Sequence, residues 1–150
     1  MMRLADPVNL VLKQKGSEVW SIRPDQSVYE AIEKMAEKGA GALLVISRET
    51  LVGILSERDY ARRVILQGRS SRETQVREIM TSPVVYVTPQ NTLDECMGVM
   101  TRHHIRHLPI LQGKKVAGVV SIGDLVKWII SEQEVTIRQL EHYIMGNYPA

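Results

Sequence analysis

Two stretches of the chain set a glycine, two apolar residues, a serine and, three residues on, an aspartate in the same order. They are Gly53–Ile54–Leu55–Ser56–Glu57–Arg58–Asp59 and Gly118–Val119–Val120–Ser121–Ile122–Gly123–Asp124. Each reads as a strand that turns into a helix. A helix start offers unpaired N–H groups and the positive end of the peptide dipoles, a setting that suits an anion. The serine brings a hydroxyl to that end. An aspartate one turn along can accept two hydrogen bonds from the vicinal hydroxyls of a ribose. Arg58 adds a planar cation suited to phosphate. The same spacing also describes a helix cap, with serine at N-cap and aspartate at N3. Taken alone, S-x-x-D favours the cap. The glycine, which permits close backbone approach, and the recurrence of the whole pattern bring the two readings level.

A second cluster is Arg106–His107, within HHIRHLPI. A helix–strand turn facing solvent explains it as well as a cationic site does. A zinc site on His103, His104 and His107 lacks a carboxylate or cysteine at ligand spacing. Catalytic signatures are missing: no G-x-S-x-G elbow, no H-E-x-x-H, no P-loop, no Cys/His pair with a third partner. The chain is therefore expected not to be an enzyme. Nucleic-acid binding is not expected either, since there is no Phe and the Tyr and Trp residues do not cluster.

The elements that must position these residues are written twice. At an offset of 65, residues 19–65 fall on 84–130 without a gap, with nine identities in 47 positions, roughly three times chance at average composition. Each copy predicts β-α-β-β-α. A short strand (Val19–Ile22; Val84–Val87) ends at an X-Pro step. A helix follows a capping box, Ser27 with Glu30 or Thr92 with Glu95. Two strands join at a polar turn: Ala42–Ile46 and Leu51–Leu55, then His107–Leu111 and Val116–Val120. A second helix begins at Ser56 and at Ser121. Before the repeats, residues 6–15 predict a short helix with Asp6 as N-cap and Pro7 at N1. The last helix is expected to run to about Met145, and Val135, Ile137, Leu140 and Ile144 exceed what one small core needs, which predicts a partner surface. The organisation expected is an N-terminal segment (1–18), repeat 1 (19–67), a linker (68–83), repeat 2 (84–130) and a C-terminal helical extension (131–150). A copy this small buries a poor core alone. Two copies packed with pseudo-two-fold symmetry, in an α+β fold, would make equivalent clefts at the repeat interface.

The bulk properties agree. The chain has 150 residues, 44% apolar and 24% charged, with net charge +2, which is an ordinary globular mix. No apolar run approaches the ~20 residues of a membrane helix, and MMRLADPVNL lacks the apolar stretch of a signal peptide. The single cysteine, Cys96, excludes an internal disulfide and fits a reducing cytoplasm.

With both repeats, VREIMT, GILSERDYARRV, IRHLPI and GVVSIGDLVKWII in view, residues 19–130 resemble a tandem cystathionine-β-synthase (CBS) domain pair, a Bateman module, of the small stand-alone bacterial type. The resemblance implies regulation rather than catalysis, disc-shaped dimers and an adenosine ligand: AMP or NAD, ahead of ADP, ATP or S-adenosylmethionine. It implies crosswise sites. Ser56, Arg58 and Asp59 would hold ribose and phosphate, with adenine against Val84, Val85 and Ile105 near Met80, and Arg106 and His107 reaching the phosphates. The reciprocal site would use Ser121 and Asp124 with Val19, Trp20 and Ala40. It ranks second, because Gly123 replaces Arg58, Gly41–Ala42 replace Arg106–His107, and Trp20 is bulky for an adenine wall. The partners implied are the adenosine ligand, a second copy of the chain and an unidentified regulated protein, with no nucleic acid and no membrane. The alternative is a ligand-independent scaffold for protein interaction and dimerisation.

Overall fold

Caps and turns set the element boundaries. The computed structural model describes residues 4–144, without the side chains of 132–137, 139 and 141–144. The order is α1 (Val8–Lys15), β1 (Ser21–Ile22), α2 (Val28–Lys38), β2 (Ala42–Ser47), β3 (Thr50–Ser56), α3 (Glu57–Tyr60), α4 (Leu93–His103), β4 (His107–Gln112), β5 (Lys115–Ser121) and α5 (Ile122–Ile144). A π-helical segment, Ala61–Ile65, continues α3, and a 3-10 turn spans Val76–Glu78. Strands β1-β2-β3 form one sheet, β1 parallel and β3 antiparallel to β2; β4 and β5 form another.

Thr92 and Glu95 make a complete capping box. At Ser27 only half forms: Ser27 caps the Glu30 amide, while the Glu30 carboxylate takes a bond from Gln26 Nε2 at 2.6 Å. Helix α2 ends on Gly39 (φ 63) and α4 on His104 (φ 54), both left-handed. His104, one of the three histidines weighed as zinc ligands, is thus a helix terminator.

Three expectations need correction. The first strand of repeat 1 is only Ser21–Ile22. The Val84–Val87 strand of repeat 2 shrinks to one parallel bridge, Val87 with Ile110. The Thr81 amide and carbonyl are both bonded to Ile54, and Pro83 has no N–H to give, so the approach to a new strand is spent. Finally, α1 is capped by Pro7, not Asp6, and no side chain caps it. Its first amides are served instead by backbone, Val8 N to Asn91 O at 2.7 Å and Asn9 N to Pro89 O at 3.1 Å. The Asp6 carboxylate accepts the Trp128 indole N–H at 3.2 Å.

The chain divides into two compact units: 18–86 with 111–118, and 1–17 with 87–110 and 119–150. They are called here the repeat-1 and repeat-2 units. The core of the first holds Ile22, Val28, Ala31, Met35, Leu43, Val45 and Leu55, closed by Val64, Val76 and Ile79. In the second, Val87, Leu93, Cys96, Met100, Leu108, Ile110 and Val120 are buried, each 65 residues further on, with Val8, Val11 and Leu12. The likeness extends beyond the gapless repeat. Gln75 pairs antiparallel with Ser27, and Pro7 with Thr92. Val76, Ile79 and Met80 therefore stand to repeat 1 as Val8, Val11 and Leu12 stand to repeat 2, at an offset of 68 rather than 65.

Candidate functional site

In the repeat-1 unit, strand β3 delivers Ser56 to the start of α3. Asp59 N–H donates to Ser56 Oγ at 3.1 Å, and Ser56 N–H donates to Asp59 Oδ2 at 2.9 Å. The cap is complete, so Asp59 is anchored through one oxygen. Its other oxygen, Oδ1, accepts the Thr81 hydroxyl at 3.4 Å, a long and therefore weak bond. Thr81 is held in place by its backbone, with N to Ile54 O at 2.8 Å and Ile54 N to Thr81 O at 3.1 Å. Arg63 reinforces the same stretch, donating to Ile79 O at 3.0 Å and Met80 O at 3.3 Å.

Gly53 earns its place here through the chain itself. A Cβ on it would meet Met80 Sδ at 2.6 Å and Thr81 O at 3.2 Å. The close backbone approach that its glycine permits is that of the Met80–Thr81 segment. Met80, Val84 and Val85 are half-buried in this unit, as are Val19, Trp20 and Ala40. The Trp20 ring carries Lys38 Nζ at 4.7 Å from its centre, a cation–π contact.

In the repeat-2 unit, Ser121 and Asp124 repeat the cap: Asp124 N to Ser121 Oγ at 3.1 Å and Ser121 N to Asp124 Oδ2 at 2.8 Å. Here the aspartate has a cation. Lys15 Nζ, from the end of α1, reaches Asp124 Oδ2 at 2.6 Å and Val119 O at 2.8 Å. Burial pushes the Asp124 carboxyl up, but the bonds from Lys15 and from the Ser121 N–H, with the Lys15 charge, outweigh it and hold the group below its ordinary value. The Arg106 carbonyl accepts the Ile122 amide at 2.9 Å, fixing the turn beside the helix start. Ile105 and His107 are half-buried and Arg106 is exposed.

Of the residues singled out from sequence, Ser56, Arg58, Asp59, Met80, Val84, Val85, Val19, Trp20 and Ala40 belong to the repeat-1 unit, and Ile105, Arg106, His107, Ser121 and Asp124 to the repeat-2 unit. Sequence reasoning missed Thr81, Arg63 and Lys15. Thr81 follows directly on Met80 and was within reach. Lys15 lies outside the gapless repeat and carries no internal match. Among the described residues, no three His, Cys, Asp or Glu side chains gather as a metal site would require.

Comparison with known proteins agrees with this duplicated architecture. The family model for the CBS domain matches twice, at residues 16–66 and 76–131. The chain is 39% identical over 148 residues to CBS domain-containing protein CBSX3, mitochondrial, of Arabidopsis thaliana, covering 92% of this chain and 71% of that protein. A solved protein with CBS domains from Burkholderia ambifaria is 50% identical and superposes with a TM-score of 0.82, over 85% of this chain and 96% of that one. The CBS domain pair of protein MJ0100, solved with 5′-methylthioadenosine and S-adenosyl-L-methionine, shares the fold at 20% identity and a TM-score of 0.75, over 85% and 98% of the two chains. Two family matches that meet the two cap motifs, with relatives alike along most of their length, show that this chain belongs to the CBS-domain family.

Proposed function

We propose that the chain is a regulatory module that binds an adenine nucleotide, AMP or NAD, and alters a dimer or partner surface in response. CBS pairs are generally regulatory ligand-binding domains rather than catalysts, and one fold neighbour carries adenosine compounds. The observation that carries the reading is the state of Asp59. Among the described residues its Oδ1 accepts the Thr81 hydroxyl at 3.4 Å, a long and weak bond that a ribose hydroxyl could replace. In this reading Ser56, Arg58 and Asp59 take ribose and phosphate, Met80, Val84, Val85 and Ile105 take adenine, and Arg106 and His107 extend the phosphate grip. Ser121 and Asp124 with Val19, Trp20 and Ala40 form a second, weaker site. A 5′-phosphate should then matter, so AMP binds better than adenosine. A free diol should matter as well, so AMP exceeds 2′-deoxy-AMP and NAD exceeds NADP. A cytoplasmic location belongs to the same reading.

Mass spectrometry of small molecules released on denaturing the purified protein tests the ligand class; AMP or NAD near one per chain is expected. Calorimetric titration tests the residues. Asp59→Ala should weaken nucleotide binding about 10- to 150-fold, the equivalent of ~1.5–3 kcal/mol for a charge-assisted bond, and more than Asp124→Ala does. Asp59→Asn, which preserves a cap acceptor, controls for folding. Unchanged affinity in every variant removes the assignment.

One observation favours the scaffold reading: Ser56 and Asp59 satisfy each other as a capping box within the chain. Thermal shift separates the two. A ligand at 100 times its Kd adds about 2.7 kcal/mol, or roughly 5–10 °C here. No shift with any adenine nucleotide supports the scaffold.

A further inference from the structure

Two side chains one helical turn apart hold three successive residues of the segment 79–81. Asp59 and Arg63 are four positions apart, and so share a face of the helix that starts at Ser56. Asp59 Oδ1 accepts the Thr81 hydroxyl at 3.4 Å. Arg63 Nη1 donates to Ile79 O at 3.0 Å and to Met80 O at 3.3 Å. Strand β3 grips the same segment through its backbone, with Thr81 N bonded to Ile54 O at 2.8 Å. Gly53 leaves the room that Met80 fills. All of these residues belong to the repeat-1 unit.

The winding of the helix changes between the two side chains. After Tyr60 it widens into the π turn of Ala61–Ile65, in which Leu66 N bonds Ala61 O at 3.0 Å. Val64 is buried in the core, while Arg63 is exposed and its guanidinium reaches the two carbonyls. Such turns are rare and concentrate at functional sites. Both acceptors are neutral, so the Arg63 bonds are charge-assisted without being an ion pair.

We infer that Arg63 is a positioning residue for the Asp59 site: it keeps Met80 and Thr81 in place while a ribose takes Asp59 from Thr81. The inference rests on the proposed nucleotide reading, in which Met80 borders adenine and Asp59 grips the diol. A diol that replaces the Thr81 hydroxyl releases the helix from the segment at Asp59. The Arg63 bonds do not involve Asp59, so they persist when that oxygen changes partner. Without them, part of the binding energy is spent on ordering the segment. The effect of Arg63 passes through Met80 and Thr81, since its Nη1 is engaged by their stretch of backbone.

The test is calorimetric titration of AMP, and separately of adenosine, into the full chain as wild type, Arg63→Met and Arg63→Lys. Arg63→Met should bind both ligands roughly 2- to 30-fold more weakly than wild type. The factor should be the same for both, because base and ribose meet the segment and the phosphate does not. Arg63→Lys keeps a cationic donor and should lose less. Wild-type affinity in Arg63→Met overturns the inference and leaves Arg63 as a staple of the fold. A loss confined to AMP overturns it as well, and makes Arg63 a phosphate ligand. Equal losses in Arg63→Met and Arg63→Lys also overturn it. No binding of either ligand by wild type removes the nucleotide reading and this inference with it, a result distinct from wild-type binding that Arg63→Met retains. Circular dichroism at the titration temperature shows that each variant is folded, and the exposure of Arg63 means that neither substitution opens a core cavity.

Discussion

Cys96 sits in repeat 2 where Ala31 sits in repeat 1, and both are fully buried. The thiol fills a small apolar position on the inner face of α4, as a free cysteine in a core commonly does. Burial, with a smaller contribution from the Glu95 charge, pushes it up to about 11. Thiolate is the reactive form, and at pH 8 almost none exists in the native state. We expect no labelling of the native protein by a thiol reagent at pH 8 on the timescale that labels a free thiol, and complete labelling after denaturation. Fast native labelling would show that α4 does not pack as described. The helix turns its 31/96 position inward, and Met97, like Ile32, lies at the margin of the buried face.

At the scale of elements, the segment 76–81 matters most for the site. It is a 3-10 turn followed by a one-residue pairing with β3, stapled by Arg63. Gly53 is the floor on which Met80 rests. Substituting Gly53→Ala sets a methyl 2.6 Å from Met80 Sδ and 3.2 Å from the Thr81 carbonyl. The thioether can swing away, but the carbonyl is fixed by its bond from Ile54, so the strand and the segment must part. A loss of about 1–3 kcal/mol is expected, a fall in Tm of roughly 2–12 °C. Chemical denaturation of the variant checks it; unchanged stability would mean that Met80 absorbs the whole clash.

At the scale of the molecule, α5 presents Val126, Ile130 and Leu140 to solvent at 44%, 46% and 57% exposure, while Leu125 faces the core. Val135, Ile137 and Ile144, which the sequence also offered as partner-facing, lie outside the described side chains. No described helix is long and apolar enough to cross a membrane. A two-fold interface reuses one patch on both chains. We expect a homodimer, with twice the chain mass by light scattering, and dissociation at micromolar concentration in a Val126→Glu/Ile130→Glu double variant. A concentration-independent monomer would remove the expectation.

Sequence alone determined whatever depends on residues near one another along the chain. Helices announce themselves through Thr92–Glu95 and Ser56–Asp59, strands through apolar runs broken by polar turns, and the duplication through a gapless register that carries the core positions with it. It also singled out the two aspartates, because Ser-x-x-Asp is the spacing of a helix cap. Tertiary structure decided what meets those aspartates. Lys15 and Asp124 are 109 residues apart, and nothing in either neighbourhood encodes their pairing. The offset of 68 that relates the 75–80 segment to 7–12 is hidden by a three-residue slip from the main repeat. The failure of Val84–Val87 as a strand has the same cause: local apolar character favoured pairing, but the backbone just before it was already committed to Ile54. Spacing fixes which groups a helix start presents, whereas the charge state and freedom of those groups depend on partners that only the folded chain brings within hydrogen-bond reach.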